Sequence, residues 1–131
     1  MLDLKKTAIG IALFTLAAFP GMAVAGAVGE KGPNGGLLRE SGDHHIELIV
    51  KGQSLTVHLL DHQSKPTKEA GVTGLATVTA GKAVESVTLT AQAGGVFVGT
   101  GKFPAAGKLQ VDIVLSPPNE PPLSASFEVT Q

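Results

Sequence analysis

The chain has 131 residues, a formal net charge of −1 at pH 7 and no cysteine. This length allows one domain, and the lack of cysteine excludes disulfide bonds. The near-neutral charge offers no basic surface to nucleic acid or to an anionic membrane, so neither is predicted as a partner.

Residues 1–25 have the pattern of a secretory signal peptide. A short basic start precedes an apolar run over residues 7–19, and an Ala-Val-Ala cleavage site follows at residues 23–25. We place the start of the mature chain at Gly26, with cleavage after Ala27 as the alternative. The apolar run is too short for a comfortable membrane span. We therefore expect a periplasmic protein with no membrane insertion of the mature chain.

Removal of the signal peptide changes the set of metal ligands that the chain offers. Both methionines lie in the removed part, so the remaining 106 of the 131 residues contain neither Cys nor Met. Loss of Asp3, Lys5 and Lys6 leaves 8 basic and 10 acidic residues, a net charge near −2. Without a soft sulfur ligand for Cu(I), any metal ion must be held by imidazole and oxygen groups.

Residues 26–36 are rich in glycine and contain the run Gly-Pro-Asn-Gly-Gly. Such a segment has too little apolar surface to offset the entropy lost on ordering. The composition predicts a flexible arm, followed by one domain over residues 37–131.

All four histidines fall within residues 42–62, which predict a β-hairpin. Apolar residues alternate along both arms, so each arm has one apolar and one mixed face. A turn centred on Lys51-Gly52, with positive φ at the glycine, places His45 directly opposite His58. Their Cβ atoms would lie roughly 4.5–5.5 Å apart, close enough for two imidazoles to share one metal ion.

A turn centred on Gly52-Gln53 is the alternative register of this hairpin. It places Glu47, and not His45, opposite His58. Either register brings these three side chains to the same face. The competing interpretation is that they form the solvent face of a half-buried hairpin and have no function.

His62 follows the second arm of the hairpin. If the strand continued, His62 would lie roughly 13 Å along it from His58, too far to bind the same ion directly. A strand that ended at Leu60 would let the chain bend back and bring His62 closer.

Turn residues and alternating apolar residues predict the rest of the chain to be β-structure. Five strands are predicted, at residues 72–79, 83–90, 96–98, 109–115 and 123–131, and no segment after the signal peptide has a helical period. With the two hairpin arms they make seven short strands. Turn signals about every 8–12 residues then predict an all-β, seven-stranded antiparallel immunoglobulin-like sandwich.

No motif for enzymatic chemistry is present. The glycines of residues 94–101 lack the spacing of a phosphate-binding loop, and no serine has the context of a nucleophile. We therefore expect a protein without enzymatic activity.

Three short motifs carry a resemblance: Gly-Pro-Asn-Gly-Gly-Leu-Leu at residues 32–38, His-Ile-Glu-Leu at 45–48 and Asp-His-Gln-Ser-Lys-Pro at 61–66. Together they resemble small periplasmic proteins that accompany heavy-metal efflux systems, and they are similar to the N-terminal periplasmic regions of cation-efflux membrane-fusion proteins. In that pattern the first motif usually has a histidine at the position of Asn34. The resemblance implies a periplasmic metal-handling role and no enzymatic activity.

Two hypotheses follow from the sequence. In the first, the protein binds a divalent transition metal ion, Cu(II) or Zn(II), through His45 and His58, with Glu47 or His62 as a further candidate ligand. In the second, the sheet edge or the glycine-rich arm binds a protein partner, such as an efflux adaptor. Metal titration of the mature protein separates the two.

Overall fold

The computed structural model describes residues 30–131, which fold into β-strands without a helix. The predicted signal peptide and residues 26–29 lie outside the described residues. Within residues 30–131, no helix is long and apolar enough to cross a membrane. The strands are β1 (Glu30–Lys31), β2 (Leu37–Ser41), β3 (His44–Lys51), β4 (Ser54–Asp61), β5 (Thr73–Ala80), β6 (Ala83–Gln92), β7 (Val96–Thr100), β8 (Lys108–Ser116) and β9 (Leu123–Thr130).

All nine strands belong to one antiparallel sheet with the order β9-β8-β5-β6-β7-β4-β3-β2-β1. The long strand β6 joins the two halves of this sheet, because its residues 83–89 pair with β5 and its residues 90–92 pair with β7. The sheet curls until β9, at one end, contacts β2 and β3 near the other end. The concave face of the curled sheet encloses the core.

The core is aliphatic and draws on both halves of the sheet. Apolar residues at every second position of a strand point to the same face, so a strand with this pattern buries one face. Burial of one such side chain contributes about 1.5–3 kcal/mol relative to exposure. The largest fully buried apolar side chains are Ile46, Leu48, Leu55, Val57, Leu59, Leu60, Val78, Val87, Ile113, Leu115 and Phe127. All of them except Leu60 belong to this core.

Side chains, and not strand pairing, hold β9 against β2. The Arg39 Nε–H donates to the Ser126 carbonyl over 3.2 Å, and the Arg39 guanidinium lies 5.8 Å from the ring centroid of Phe127. The backbone N–H of Ser124 donates to the hydroxyl of Ser41 over 3.0 Å. These contacts satisfy backbone groups on β9 that an open sheet edge would expose.

Three of the hairpins close with a two-residue turn that begins with glycine. Gly42, Gly52 and Gly81 have φ of 59°, 60° and 62°, while the residue after each has negative φ. Positive φ at the first central residue alone is the pattern of a type II′ turn, which matches the twist of the paired strands. The β3–β4 turn is therefore centred on Gly52-Gln53.

This turn sets the register of the β3–β4 hairpin. Glu47 lies opposite His58, and His45 lies opposite Leu60. The predicted direct opposition of His45 and His58 is wrong, and the alternative register is the one observed. Both registers match apolar residues with apolar residues, so the apolar pattern could not decide between them.

The all-β, antiparallel class is confirmed. The five strands predicted after the hairpin are confirmed to within two residues at each end. The sheet has nine strands and not seven, because β1 and β2 add to it on the side of β3. Residues 30–36, predicted as part of a flexible arm, form β1 and a turn that packs on β3.

Candidate functional site

The histidines and acids that the sequence marks lie mainly on the convex face of the β3–β4 hairpin. Along β3, His45 and Glu47 alternate with the core residues Ile46 and Leu48, and along β4 His58 lies between two core residues. Alternate residues of a strand share a face. We call the surface formed by Glu40, His45, Glu47 and His58 the outer hairpin face.

Glu47 is fully buried although it points away from the core. Residues 30–36, which we call the strap, cover it. Its Oε2 accepts hydrogen bonds from the backbone N–H groups of Asn34 and Gly36, over 2.9 and 2.7 Å, and its Oε1 accepts one from Asn34 Nδ2 over 3.0 Å. A buried carboxylate is costly unless such bonds compensate it. In this arrangement Glu47 is closed to a metal ion.

The glycines of the strap are required by its close approach to Glu47. A Cβ atom on Gly32 would overlap the carboxyl group of Glu47, and one on Gly36 would lie 2.5 Å from the Leu48 carbonyl oxygen. Within the strap, Gly32 N–H donates to the Gly36 carbonyl over 2.8 Å. The Gly-Pro-Asn-Gly-Gly run is thus a turn built around one carboxylate, and this bonding explains why a segment of such composition is ordered.

His45 is held at one ring nitrogen and faces a carboxylate with the other. Its Nδ1 lies 2.9 Å from Ser64 Oγ, and its Nε2 lies 3.6 Å from Glu40 Oε2. Glu40 is directly across the β2–β3 ladder from His45 and its side chain is 81% exposed. Without a metal ion, a proton on Nε2 suits the carboxylate of Glu40, and Nδ1 then accepts from the Ser64 hydroxyl. A metal ion bound at Nε2 would leave the proton on Nδ1, which would then donate to Ser64. Metal-binding histidines are commonly oriented through their second nitrogen in this way.

Ser64 owes its position to a tight loop after β4. Asp61 Oδ1 accepts hydrogen bonds from the N–H groups of Gln63 and Lys65, over 2.8 and 3.0 Å. The bond from Lys65 in particular holds the pKa of Asp61 below its ordinary value. Ser64 has φ of 62° and is the one non-glycine residue with positive φ in the described part of the chain. A serine is strained in this region, so the loop must enforce the conformation.

His58 lies between an acidic and an apolar neighbour on the outer hairpin face. It is opposite Glu47 on one side and opposite Val96 on the other, and it is partly buried. His45 is its diagonal neighbour, at a distance of roughly 7–8 Å for such positions. The two imidazoles share a face without forming a direct pair.

The two other histidines lie elsewhere. His44 is on the core side of β3, and its Nε2 is 3.0 Å from Glu69 Oε1. His62 is exposed in the loop that follows β4.

Among residues 30–131, no three His, Asp or Glu side chains are grouped so that they could hold one metal ion. The predicted set of His45, His58, Glu47 and His62 is thus not assembled as the side chains stand. His45 and His58 share a face, Glu47 is covered, and His62 lies in a separate loop.

Glu40 and Ser64 are the neighbours of His45 that sequence reasoning missed. A signal for Glu40 existed: with Gly42 as the first residue of a two-residue turn, counting back along the hairpin places Glu40 opposite His45. No comparable signal exists for Ser64, because its contact depends on how the loop after β4 folds back.

Comparison of the chain with known protein families, with curated proteins and with solved structures found no match. The resemblance to efflux-associated periplasmic proteins therefore stays a prediction based on three short motifs.

Proposed function

We propose that the protein binds a divalent transition metal ion in the periplasm, Cu(II) or Zn(II), and serves metal efflux or homeostasis without enzymatic activity. The ion is bound at the outer hairpin face. The observation that carries this proposal is the pair of His45 and Glu40, in which Ser64 orients the imidazole towards an exposed carboxylate.

The dimensions of this pair suit a metal ion. Typical bonds from zinc to imidazole nitrogen and to carboxylate oxygen are about 2.0–2.2 Å. His45 Nε2 and Glu40 Oε2 are 3.6 Å apart. One ion can bind both atoms at this separation with a wide ligand–metal–ligand angle. Glu40 is exposed and can adjust, whereas the His45 ring is held by Ser64. His58 supplies a third ligand by rotation of its side chain, and His62, exposed in the loop that positions Ser64, is the remaining candidate ligand.

The remaining coordination positions of this exposed site are filled by water or by a partner protein. We therefore expect a moderate affinity. Because protons compete with the metal ion for imidazole nitrogen, binding should weaken as the pH falls.

Isothermal titration calorimetry with Cu(II) and with Zn(II) tests the proposal on the mature protein. Replacement His45→Ala should remove most of the binding, and His58→Ala should weaken it. His44→Ala is the matched control, since His44 is the adjacent residue but lies on the core side with Glu69. Circular dichroism should be unchanged in the His45 and His58 variants. A wild-type protein that binds neither ion contradicts the proposal.

The periplasmic location rests on the sequence of residues 1–25. When the whole sequence is expressed in a Gram-negative host, intact mass spectrometry should find a periplasmic product that begins at Gly26. A product that retains Met1 in the cytosol contradicts the location.

The second candidate is an interaction module for an efflux adaptor or another periplasmic protein. One observation favours it: a groove with a largely apolar lining separates the strap and β2 from the end of β9. Leu37, Ile49 and Val129 contribute to its lining. A protein with this function and no metal site would keep its partner when His45 is replaced by Ala.

We also infer that the two halves of the curled sheet act as the two layers of an immunoglobulin-like sandwich. In support, Leu48 and Val57 from one half share a core with Val78 and Ile113 from the other. An experimental structure with two layers packed about 10 Å apart would agree with this inference, and an open, one-layer sheet would contradict it.

A further inference from the structure

We infer that the strap is a lid on the metal site, and that its opening adds Glu47 to the ligands of the ion. This inference rests on the proposed binding of a metal ion at the outer hairpin face. It assigns to the strap a regulatory role: metal and strap compete for one carboxylate.

The position of Glu47 supports this competition. Glu47 is directly across the ladder from His58 and two residues along β3 from His45, on the same face as both. Directly opposed residues have Cβ atoms roughly 4.5–5.5 Å apart, so an imidazole and a carboxylate there can bind one ion. The strap lies over this carboxylate on the convex side of the sheet, since the core is on the other face.

The strap depends on Glu47 for much of its attachment. Its strand β1 has only two residues, Glu30 and Lys31, and both are exposed. The links from the strap turn to β3 are the hydrogen bonds from Asn34 and Gly36 to the Glu47 carboxylate. An ion that takes this carboxylate therefore removes the main anchor of the turn.

Competition of this kind is reciprocal. If the closed strap lowers the affinity for the ion by some factor, the bound ion lowers the stability of the closed strap by the same factor. In the closed arrangement the ion has His45 and Glu40, with His58 nearby. In the open arrangement His45, His58 and Glu47 make three protein ligands, and water completes a four-coordinate shell.

The Gly36→Ala variant of the whole chain is designed to open the strap. The new Cβ atom would lie 2.5 Å from the Leu48 carbonyl oxygen, a backbone atom that cannot move aside, and 3.0 Å from Glu47 Cγ. Gly36 is not among the glycines with positive φ, so the alanine itself is not strained. Pro33→Ala is the matched control, because Pro33 is an exposed strap residue that has no N–H to bind Glu47.

Calorimetry with Zn(II) should show that Gly36→Ala binds about tenfold more tightly than the wild type, within the usual range of coupling between two sites. Pro33→Ala should bind like the wild type. Adding Glu47→Gln to Gly36→Ala should abolish the gain, because the amide is a much poorer ligand than the carboxylate. Asn34→Ala loses one hydrogen bond to Glu47 and should give a smaller gain in affinity. This variant replaces Gly36→Ala in the test if Gly36→Ala does not fold.

The outcomes separate the lid from the proposed function. Equal Zn(II) affinity in the wild type and in both strap variants would overturn the lid and leave the metal-binding proposal standing. A gain that persists in Gly36→Ala, Glu47→Gln would also overturn it. Binding by no variant would overturn both. A gain that requires Glu47 supports the lid.

Discussion

Glu47 and Glu40 are two carboxylates on the same outer face of neighbouring strands, and their surroundings differ completely. Glu47 is buried beneath the strap and accepts hydrogen bonds from Asn34 and Gly36. Glu40 is 81% exposed and faces the ring of His45. The face of a strand does not decide whether an acid is available to a ligand. What covers that face decides it.

The largest expected effect is on stability: replacement of Glu47 should lower the free energy of unfolding much more than replacement of Glu40. In Glu47→Ala the backbone N–H groups of Asn34 and Gly36 lose their acceptor, and hydrogen bonds to a charged group are each worth about 1.5–3 kcal/mol. Removal of the buried carboxylate also removes its desolvation cost, which offsets part of this loss, so we expect the free energy of unfolding to fall by about 2–3 kcal/mol. In Glu40→Ala we expect a change within about 0.5 kcal/mol, as for other exposed positions. Urea denaturation of both variants measures the difference, and equal losses would contradict the assignment of roles.

The next effect concerns the support of His45. Ser64→Ala removes the hydroxyl that holds His45 Nδ1, while the loop bonds of Asp61 remain. Loss of such a supporting hydrogen bond typically lowers metal affinity about tenfold or more. Calorimetry with Zn(II) should show this loss in Ser64→Ala, with Ser54→Ala, at the exposed start of β4, as the control. Unchanged affinity would mean that the hydroxyl does not orient the ligand.

A smaller effect is expected when the open carboxylate is neutralised. Glu40→Gln keeps the shape of the side chain but replaces a carboxylate ligand with an amide, which is a poorer ligand. Because Glu40 is exposed, water can take its place on the ion, so the loss is smaller than that for His45. The affinity for Zn(II) should therefore fall by about fivefold at most. Glu47→Gln in the otherwise wild-type chain should not lower it, because the closed strap already withholds Glu47. A larger loss of Zn(II) affinity in Glu47→Gln than in Glu40→Gln would mean that Glu47, and not Glu40, is the carboxylate available to the ion.

The smallest expected effect is a pH-dependent change in melting temperature, caused by the loop that positions Ser64. The hydrogen bond from Lys65 N–H lowers the pKa of Asp61, so ionised Asp61 stabilises the folded loop. This contribution is present above the ordinary pKa of an aspartate and is lost as the pH falls through the lowered pKa. The melting temperature of the wild type should exceed that of Asp61→Asn at neutral pH, and the difference should shrink in acid. A constant difference down to the lowest pH would contradict the pKa direction.

The inner face of the β3–β4 hairpin could be predicted from the sequence. Ile46, Leu48, Leu55 and Val57 lie at alternate positions of the two arms, and all four are buried in the core. Any register that pairs these residues buries the same face, so the strands and their core follow from the period of the pattern alone. The later strands could be predicted for the same reason.

The outer face required information that the alternation does not contain. Its register depends on whether Gly52 is the first or the second central residue of the turn. With Gly52 second, His58 would lie opposite His45; with Gly52 first, as observed, His58 lies opposite Glu47. The burial of Glu47 depends on a glycine-rich turn whose composition predicted a flexible arm. Glycine is the first central residue of three two-residue turns in this chain. The position of glycine in the turn, and not the apolar pattern, therefore indicates the register.

The binding of a metal ion at His45 is tested most directly by following the histidine ring signals in an NMR titration with Zn(II). Resonances of the His45 ring should shift first, those of His58 should follow, and those of His44 should stay in place because Glu69 holds that ring on the core side. The same titration of His45→Ala should leave the His58 ring nearly unaffected at matched concentrations. Zn(II)-dependent shifts confined to His62, or none in the His45 ring, would contradict the account.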